Sequence, residues 1–174
     1  MPTPPPFRVL FVCWGNICRS PTAEALLRRD LVAAGLADRV EVDSAGVSAE
    51  HHGSPPDRRS QAEAKKRGVD MGGLRARRVA PDDWDRFDLL LVTDEAVERS
   101  LRRQAPDDAD LGKVRRITDF VAADGPFASA RAVGEVPDPY YGGAAGFRRV
   151  FELLEAASTG VMAHALATRS PGPA

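Results

Sequence analysis

The residues "FRVLFVC" (7–13) form an apolar run of strand length, and the chain must turn and enter the helical pattern "PTAEALLRRDLVAAG" (21–35) within the next eight positions. A buried strand that feeds a helix through so short a loop needs a second parallel strand to receive the chain, which is the start of a βαβ unit. The alternation recurs. "VEVDSAG" (40–46) reads as a second strand and "DRRSQAEAKKRG" (57–68) as a helix stopped by Gly68; "FDLLLVT" (87–93) and "DEAVERSLRRQ" (94–104) repeat the pair. A shorter strand, "KVRRITDF" (113–120), a loop over 121–137 and a long closing helix, "GFRRVFELLEAASTGVMAHAL" (146–166), complete the reading. Ser20 is the expected N-cap of the first helix, with Pro21 at its first position and Gly35 as its stop. The expectation is an α/β fold: a single domain with a four-stranded parallel twisted sheet and helices on both faces. In such sheets ligands bind beyond the carboxyl ends of the strands, where strand order reverses.

Composition limits the alternatives. A chain of 174 residues suits one domain. A formal net charge of -1 argues against a general role on nucleic acid or membrane surfaces. "MPTPPP" lacks the basic start and apolar core of a secretory signal, so a cytoplasmic location with reduced thiols is expected. The Pro-rich ends, 1–6 and 167–174, are expected to be disordered tails around a domain spanning 7–166.

Both cysteines of the chain fall in "VCWGNICRSP", as Cys13 and Cys18. Their C-x4-C spacing is neither the C-x-x-C redox motif nor half of a paired C-x-x-C zinc site. A loop between a strand end and a helix N-terminus offers successive backbone N–H groups and a partial positive charge to an anion. Gly15 and Asn16 tolerate the left-handed angles such a curl requires. Arg19 adds a planar fork matched to two phosphate oxygens. Cys13, below this cradle, sits where N–H dipoles favour the thiolate, a nucleophile aimed at a bound phosphate.

"VCWGNICRSP" resembles the C-x5-R phosphate-binding loop of the low-molecular-weight protein tyrosine phosphatases, and "DPYYG" (138–142) resembles that family's general-acid loop. "DSAGVSAEHHGSPPD" (43–57) and "GVDMGGLRARRV" (68–79) also stand where the family has similar stretches. The resemblance implies hydrolysis of protein phosphotyrosine with no metal or organic cofactor. It implies Cys13 as nucleophile, Arg19 as phosphate clamp and Asp138 as general acid and base. Trp14, Gly15, Asn16, Ile17, Cys18 and Ser20 would form the phosphate loop, with Ser20 donating to the Cys13 thiolate and Asn16 held through Ser20 and Ser44. Tyr140 and Tyr141 would wall the pocket. The expected partners are phosphotyrosine proteins, not nucleic acid or membrane, and the expected state is a monomer.

Three positions depart from the family pattern. Trp14 is bulkier than the usual residue, Glu50 replaces a rim aromatic and would disfavour acidic substrate flanks, and Leu74 stands where some members have a histidine bracing Asn16. Rival readings are an arsenate reductase, an arginine phosphatase and a phosphotyrosine-binding module. The first needs further cysteines and the second has threonine at the position of Ile17. The third needs neither a thiol nor an acid. Residues 58–78 carry eight basic and two acidic side chains, a local excess of six that would steer acidic partners unless it belongs to a solvated helix face. Cys18 is a candidate partner for oxidised Cys13, or else a small residue packed beneath the loop.

Overall fold

The computed structural model describes residues 4–168. Its sheet contains β1 (Phe7–Cys13), β2 (Val40–Gly46), β3 (Leu89–Val92) and β4 (Val114–Arg116), all parallel and ordered β2-β1-β3-β4. Helices α1 (Arg19–Ala33), α2 (Arg58–Lys66), α3 (Asp83–Arg86), α4 (Glu95–Arg103), α5 (Ala128–Val133) and α6 (Ala144–Thr168) complete it. The expected fold class is the observed one.

The pleat of β1 explains why both faces are covered. Phe7, Val9 and Phe11 point to one side, joining Leu26, Leu27 and Leu31 of α1 and Val150, Phe151, Leu154 and Val161 of α6 in one buried cluster. Leu10 and Val12 point to the other, against Trp84 of α3, Phe87, and Val97 and Leu101 of α4. Successive residues of one strand thus serve two cores, and a near-continuous apolar run is what a doubly covered strand requires. Strand order reverses beside β1, with β2 on one side and β3 on the other. The carboxyl end of β1, at Cys13, therefore opens into the crevice where this fold class binds ligands.

Several boundaries differ from expectation. Helix α1 begins at Arg19 after Cys18, and no side chain caps it. Ser20 is not the N-cap, because its hydroxyl is engaged with Cys13 and Asn16 instead. Pro21 occupies the third helical position, where its missing N–H would still be unpaired within the helix. The fourth strand ends at Arg116, and Ile117–Phe120 coil into a 3₁₀ turn. Short helices α3 and α5 occupy stretches with no clear helical period. Helix α6 runs through Thr168, past the expected start of the C-terminal tail. The rest of that tail, 169–174, and residues 1–3 lie outside the described residues. Among the described residues no helix is long and apolar enough to cross a membrane.

The basic stretch is partly neutralised within the fold. Arg77 is shared between Asp43 at 3.0 Å and Asp83 at 2.9 Å, Arg67 between Glu63 at 3.1 Å and Glu155 at 3.0 Å, and Arg59 pairs with Asp57 at 2.9 Å. Arg58, Lys65, Arg75 and Arg78 form no ion pair among the described residues, so only part of the excess is neutralised.

Candidate active site

The loop from Cys13 to Arg19 is held from behind by a directed chain of hydrogen bonds. Asn16 adopts φ 57°, the only positive φ of a non-glycine residue among those described. Its Oδ1 accepts from the Arg77 backbone N–H at 3.0 Å, and its Nδ2 donates to Ser20 Oγ at 2.8 Å and Ser44 Oγ at 3.0 Å. With that acceptor position filled, the Ser44 proton goes to Glu24 Oε2 at 2.5 Å. Glu24 is buried on α1 and is also paired with Arg28 at 2.7 Å. Burial pushes its carboxyl up, against the opposing hydrogen bond from Ser44. Asn16 is therefore braced by Ser44, Glu24 and the Arg77 amide, whereas Leu74 packs against the apolar core.

The same bookkeeping fixes the Ser20 proton. Ser20 Oγ lies 2.9 Å from Cys13 Sγ and 3.4 Å from the Ala45 carbonyl, and it already accepts from Asn16. Its hydrogen is best placed on the sulfur. The Asn16 backbone N–H adds a second donor at 3.3 Å, so two donors converge on Sγ. Asn16 and Ser20 thus stand behind the loop, beside Ser44, rather than on the cleft wall.

Between Trp14 and Cys18, only the Asn16 N–H is engaged. The N–H groups of Trp14, Gly15, Ile17 and Cys18 take no partner among the described residues. Unpaired donors at the head of a helix are what an oxyanion site requires. The backbone can curl this tightly because β2 ends in Gly46, where a Cβ would lie 2.7 Å from the Trp14 carbonyl and 3.1 Å from the Asn16 nitrogen.

Arg19 is 4% exposed, and only one nitrogen is tied down. Nη1 donates to Asp94 Oδ2 at 2.6 Å and to the Val136 carbonyl at 2.9 Å. Asp94 is fixed in turn as the cap of α4, accepting from the Val97 N–H at 2.8 Å. Nε and Nη2 make no hydrogen bond among the described residues, so the bidentate edge of the fork is available. Asp138 Oδ2 stands 3.8 Å from Nη2, and its Oδ1 accepts from the Tyr140 N–H at 3.0 Å.

The cleft is lined by Cys13, Gly15, Ile17, Cys18, Arg19 and Asp138 below and by Trp14, Glu50, His51, Tyr140 and Tyr141 around the mouth. Trp14 is 47% and Tyr141 91% exposed. His51 sits against Gly15, where a Cβ would meet its ring at 2.8 Å, and its ring centroid is 6.2 Å from that of Tyr140. Burial, reinforced by Asp57, Cys13 and Asp138, pushes the Cys18 thiol up to about 12, so Cys18 is a neutral thiol at physiological pH.

The candidate catalytic, phosphate-loop and pocket-wall residues therefore converge on one cleft or directly behind it, whereas Leu74 does not. Sequence reasoning missed Asp94, Glu24, His51 and the Arg77 amide. Asp94 was legible as a helix-capping residue type after a strand, but its approach to Arg19, 75 positions away, follows only from the pairing of β1 with β3.

The comparisons agree with this geometry. The description "Low molecular weight phosphotyrosine protein phosphatase" belongs to the family profile that matches residues 8–170. A low molecular weight protein-tyrosine-phosphatase of Streptomyces coelicolor is 44% identical, with 90% of this chain and 92% of the relative covered. The crystal structure of YfkJ from Bacillus subtilis superposes with a TM-score of 0.85 at 33% identity, covering 96% of this chain and 99% of that one. A protein tyrosine phosphatase from Entamoeba histolytica, crystallised with Hepes in its active site, gives a TM-score of 0.83 at 32% identity, covering 94% and 99%. Sheet order, cleft and kinship together establish that the chain belongs to the low molecular weight phosphotyrosine protein phosphatase family.

Proposed function

We propose that the protein hydrolyses phosphotyrosine in proteins in two steps through a phosphate carried on Cys13. One observation carries this reading: Cys13 Sγ, the acceptor of two hydrogen bonds, lies in a loop with four unengaged N–H groups, beside the free edge of Arg19. The loop amides and the Nε and Nη2 donors of Arg19 hold the phosphoryl oxygens, and their hold tightens as the group flattens in transfer. Sγ attacks phosphorus and the bond to the phenolic oxygen breaks. Asp138, on the side of the cleft beyond Arg19, gives that oxygen its proton. In the second step the Asp138 carboxylate takes a proton from water as the water attacks phosphorus. Sγ leaves, and inorganic phosphate is released.

The aromatic mouth of Trp14, Tyr140 and Tyr141, with His51, suits a flat aryl group better than an alkyl phosphate. Glu50 at the same mouth disfavours acidic residues flanking the phosphotyrosine. The Hepes in the Entamoeba active site, a sulfonate, supports the reading of the loop as an oxyanion cradle. We assign the protein to the cytoplasm, where both cysteines stay reduced, and expect it to act as a monomer; size-exclusion chromatography with light scattering checks the latter. A side-by-side turnover assay on phosphotyrosine, phosphoserine and phosphoarginine peptides and on arsenate tests the function. Turnover confined to phosphotyrosine is expected. Faster turnover of phosphoarginine, or thiol-coupled arsenate reduction, would replace this reading with one of its rivals.

A further inference from the structure

The loop that carries Asp138 has few anchors of its own. Within it, the Asp138 carboxylate accepts the Tyr140 N–H, and the Gly142 N–H donates to the Pro139 carbonyl at 3.0 Å. Both Tyr140 and Tyr141 are exposed at the surface. From outside, Asp138 faces Arg19 Nη2 at 3.8 Å, the Tyr140 ring lies 6.2 Å from that of His51, and the turn itself is met by Arg59, near the start of α2. Its guanidinium carbon lies 5.4 Å from the Tyr140 ring centroid and 4.5 Å from that of Phe147 on α6, and Nη1 donates to the Gly142 carbonyl at 3.3 Å.

The other side of Arg59 is fastened to Asp57. Nε donates to Asp57 Oδ1 at 3.0 Å and Nη2 to Oδ2 at 2.9 Å, a fork-to-fork pair that orients the guanidinium plane. Asp57 also accepts the Arg59 backbone N–H at 2.8 Å as the cap of α2, and its own N–H donates to the Ile17 carbonyl at 2.8 Å. One continuous path therefore runs from Ile17 in the phosphate loop, through Asp57 and Arg59, to Tyr140 and Gly142 on the two sides of the Asp138 loop's turn.

We propose that Arg59 is a positioning residue that latches the Asp138 loop to the phosphate loop, setting the distance between the proton donor and the leaving oxygen. The inference rests on the assignment of Asp138 as the acid. A latch of this kind acts on proton delivery and leaves the oxyanion cradle alone, because Arg59 touches neither the loop amides nor Arg19. Its planar fork is what allows it to pair with Asp57, stack on two rings and reach a carbonyl at once, and an ammonium cannot reproduce that.

The test is kcat/KM over a series of aryl phosphates of rising leaving-group pKa, for wild type, Arg59→Ala, Arg59→Lys, Asp138→Asn and the double variant Arg59→Ala/Asp138→Asn. Inorganic phosphate binding is followed in parallel through Trp14 fluorescence. Displacement of a proton donor by the order of 1 Å can cost about 10²-fold, so Arg59→Ala should lose between about tenfold and 10²-fold with phenyl phosphate. It should lose little with 2,4-dinitrophenyl phosphate and bind inorganic phosphate as wild type does. Arg59→Lys, which keeps the charge beside Asp57 and carries the test if the alanine variant does not fold, should show the same tilt in smaller measure. In the Asp138→Asn background, removal of Arg59 should cost nothing further. A uniform loss across the series, or a full additional loss in the double variant, overturns the latch. A steep series for Asp138→Asn beside a flat one for both Arg59 variants removes the latch alone, whereas a flat series for Asp138→Asn removes the acid assignment beneath it.

Discussion

Replacement of Asn16 tests whether the phosphate loop is held by its polar backing or only by the sheet beneath it. Asn16→Ala removes two donated hydrogen bonds, at 2.8 and 3.0 Å, and the acceptor for the Arg77 N–H at 3.0 Å. At about 1 kcal/mol net for each buried bond the loss is about 3 kcal/mol. Alanine must also keep φ 57°, which costs an L-residue with no polar side chain about 1–2 kcal/mol. Asn16→Gly loses the same bonds without that backbone term, but glycine gains unfolded-state entropy worth about 0.4–1 kcal/mol. The backbone term is the larger, so glycine should be the more stable of the two variants by about 0.5–1 kcal/mol, and both should lie about 3–5 kcal/mol below wild type. Urea unfolding monitored by fluorescence measures this, provided the m-value is unchanged. Turnover and vanadate inhibition should weaken together in both variants, since the loop amides lose their alignment. Losses under about 1 kcal/mol in both would refute the backing network, because they are smaller than a single buried hydrogen bond of the three is expected to supply. An alanine variant as stable as the glycine one would refute the left-handed constraint.

Gly46→Ala should abolish phosphate binding while leaving the protein folded, since the added Cβ presses on the Trp14 carbonyl and Asn16 nitrogen; circular dichroism and vanadate titration check it. In α6, alanine at Gly160 would gain about 1 kcal/mol of helix propensity, but its Cβ would collide with the Phe120 carbonyl oxygen. So close an approach to a backbone carbonyl puts the overpacking cost at the upper end of about 1–3 kcal/mol, so Gly160→Ala should be net destabilising by about 1–2 kcal/mol, read as a lowered Tm. Arg19→Lys should lose most turnover, because a point charge cannot satisfy Asp94, Val136 and an oxyanion at once; steady-state kinetics decide. If Cys18 captures peroxide-oxidised Cys13, water leaves as the sulfur–sulfur bond forms, and Cys18 must lose its proton on the way. With that thiol at about 12, capture should quicken about tenfold per pH unit from neutral to alkaline pH, and dithiol should restore more activity to wild type than to Cys18→Ser. Equal recovery would make Cys18 a packing residue.

The parts of the fold legible in the sequence were those fixed by local pattern. Strands β1 and β2 were bounded correctly because one is apolar on both faces and each ends at a residue the cleft requires, Cys13 and Gly46. The loop was legible because its residue types and spacing admit few geometries. What escaped depends on distant packing. Residues 117–120 carry a β-compatible composition, yet they leave the sheet after Arg116 and pack beneath α6, where Gly160 admits the Phe120 carbonyl. Ser20 reads as a helix cap until Cys13 and Asn16 compete for its hydroxyl. Glu24 looks like an exposed position of α1, and only the neighbouring β2 brings Ser44 against it. The basic stretch suggests an open charged face because the acids that neutralise Arg67 and Arg77 lie on other elements.

The central claim is that phosphate passes through the sulfur of Cys13. Rapid mixing with a phosphotyrosine peptide, acid quench within one turnover and peptide mapping by mass spectrometry test it directly. A phosphate on the enzyme peptide containing Cys13, formed as fast as the dephosphorylated tyrosine peptide is released and absent from Cys13→Ser although that variant still binds vanadate, is the predicted result. Release of inorganic phosphate in step with the tyrosine peptide with no phosphorylated enzyme, or phosphate recovered on another residue, would contradict it.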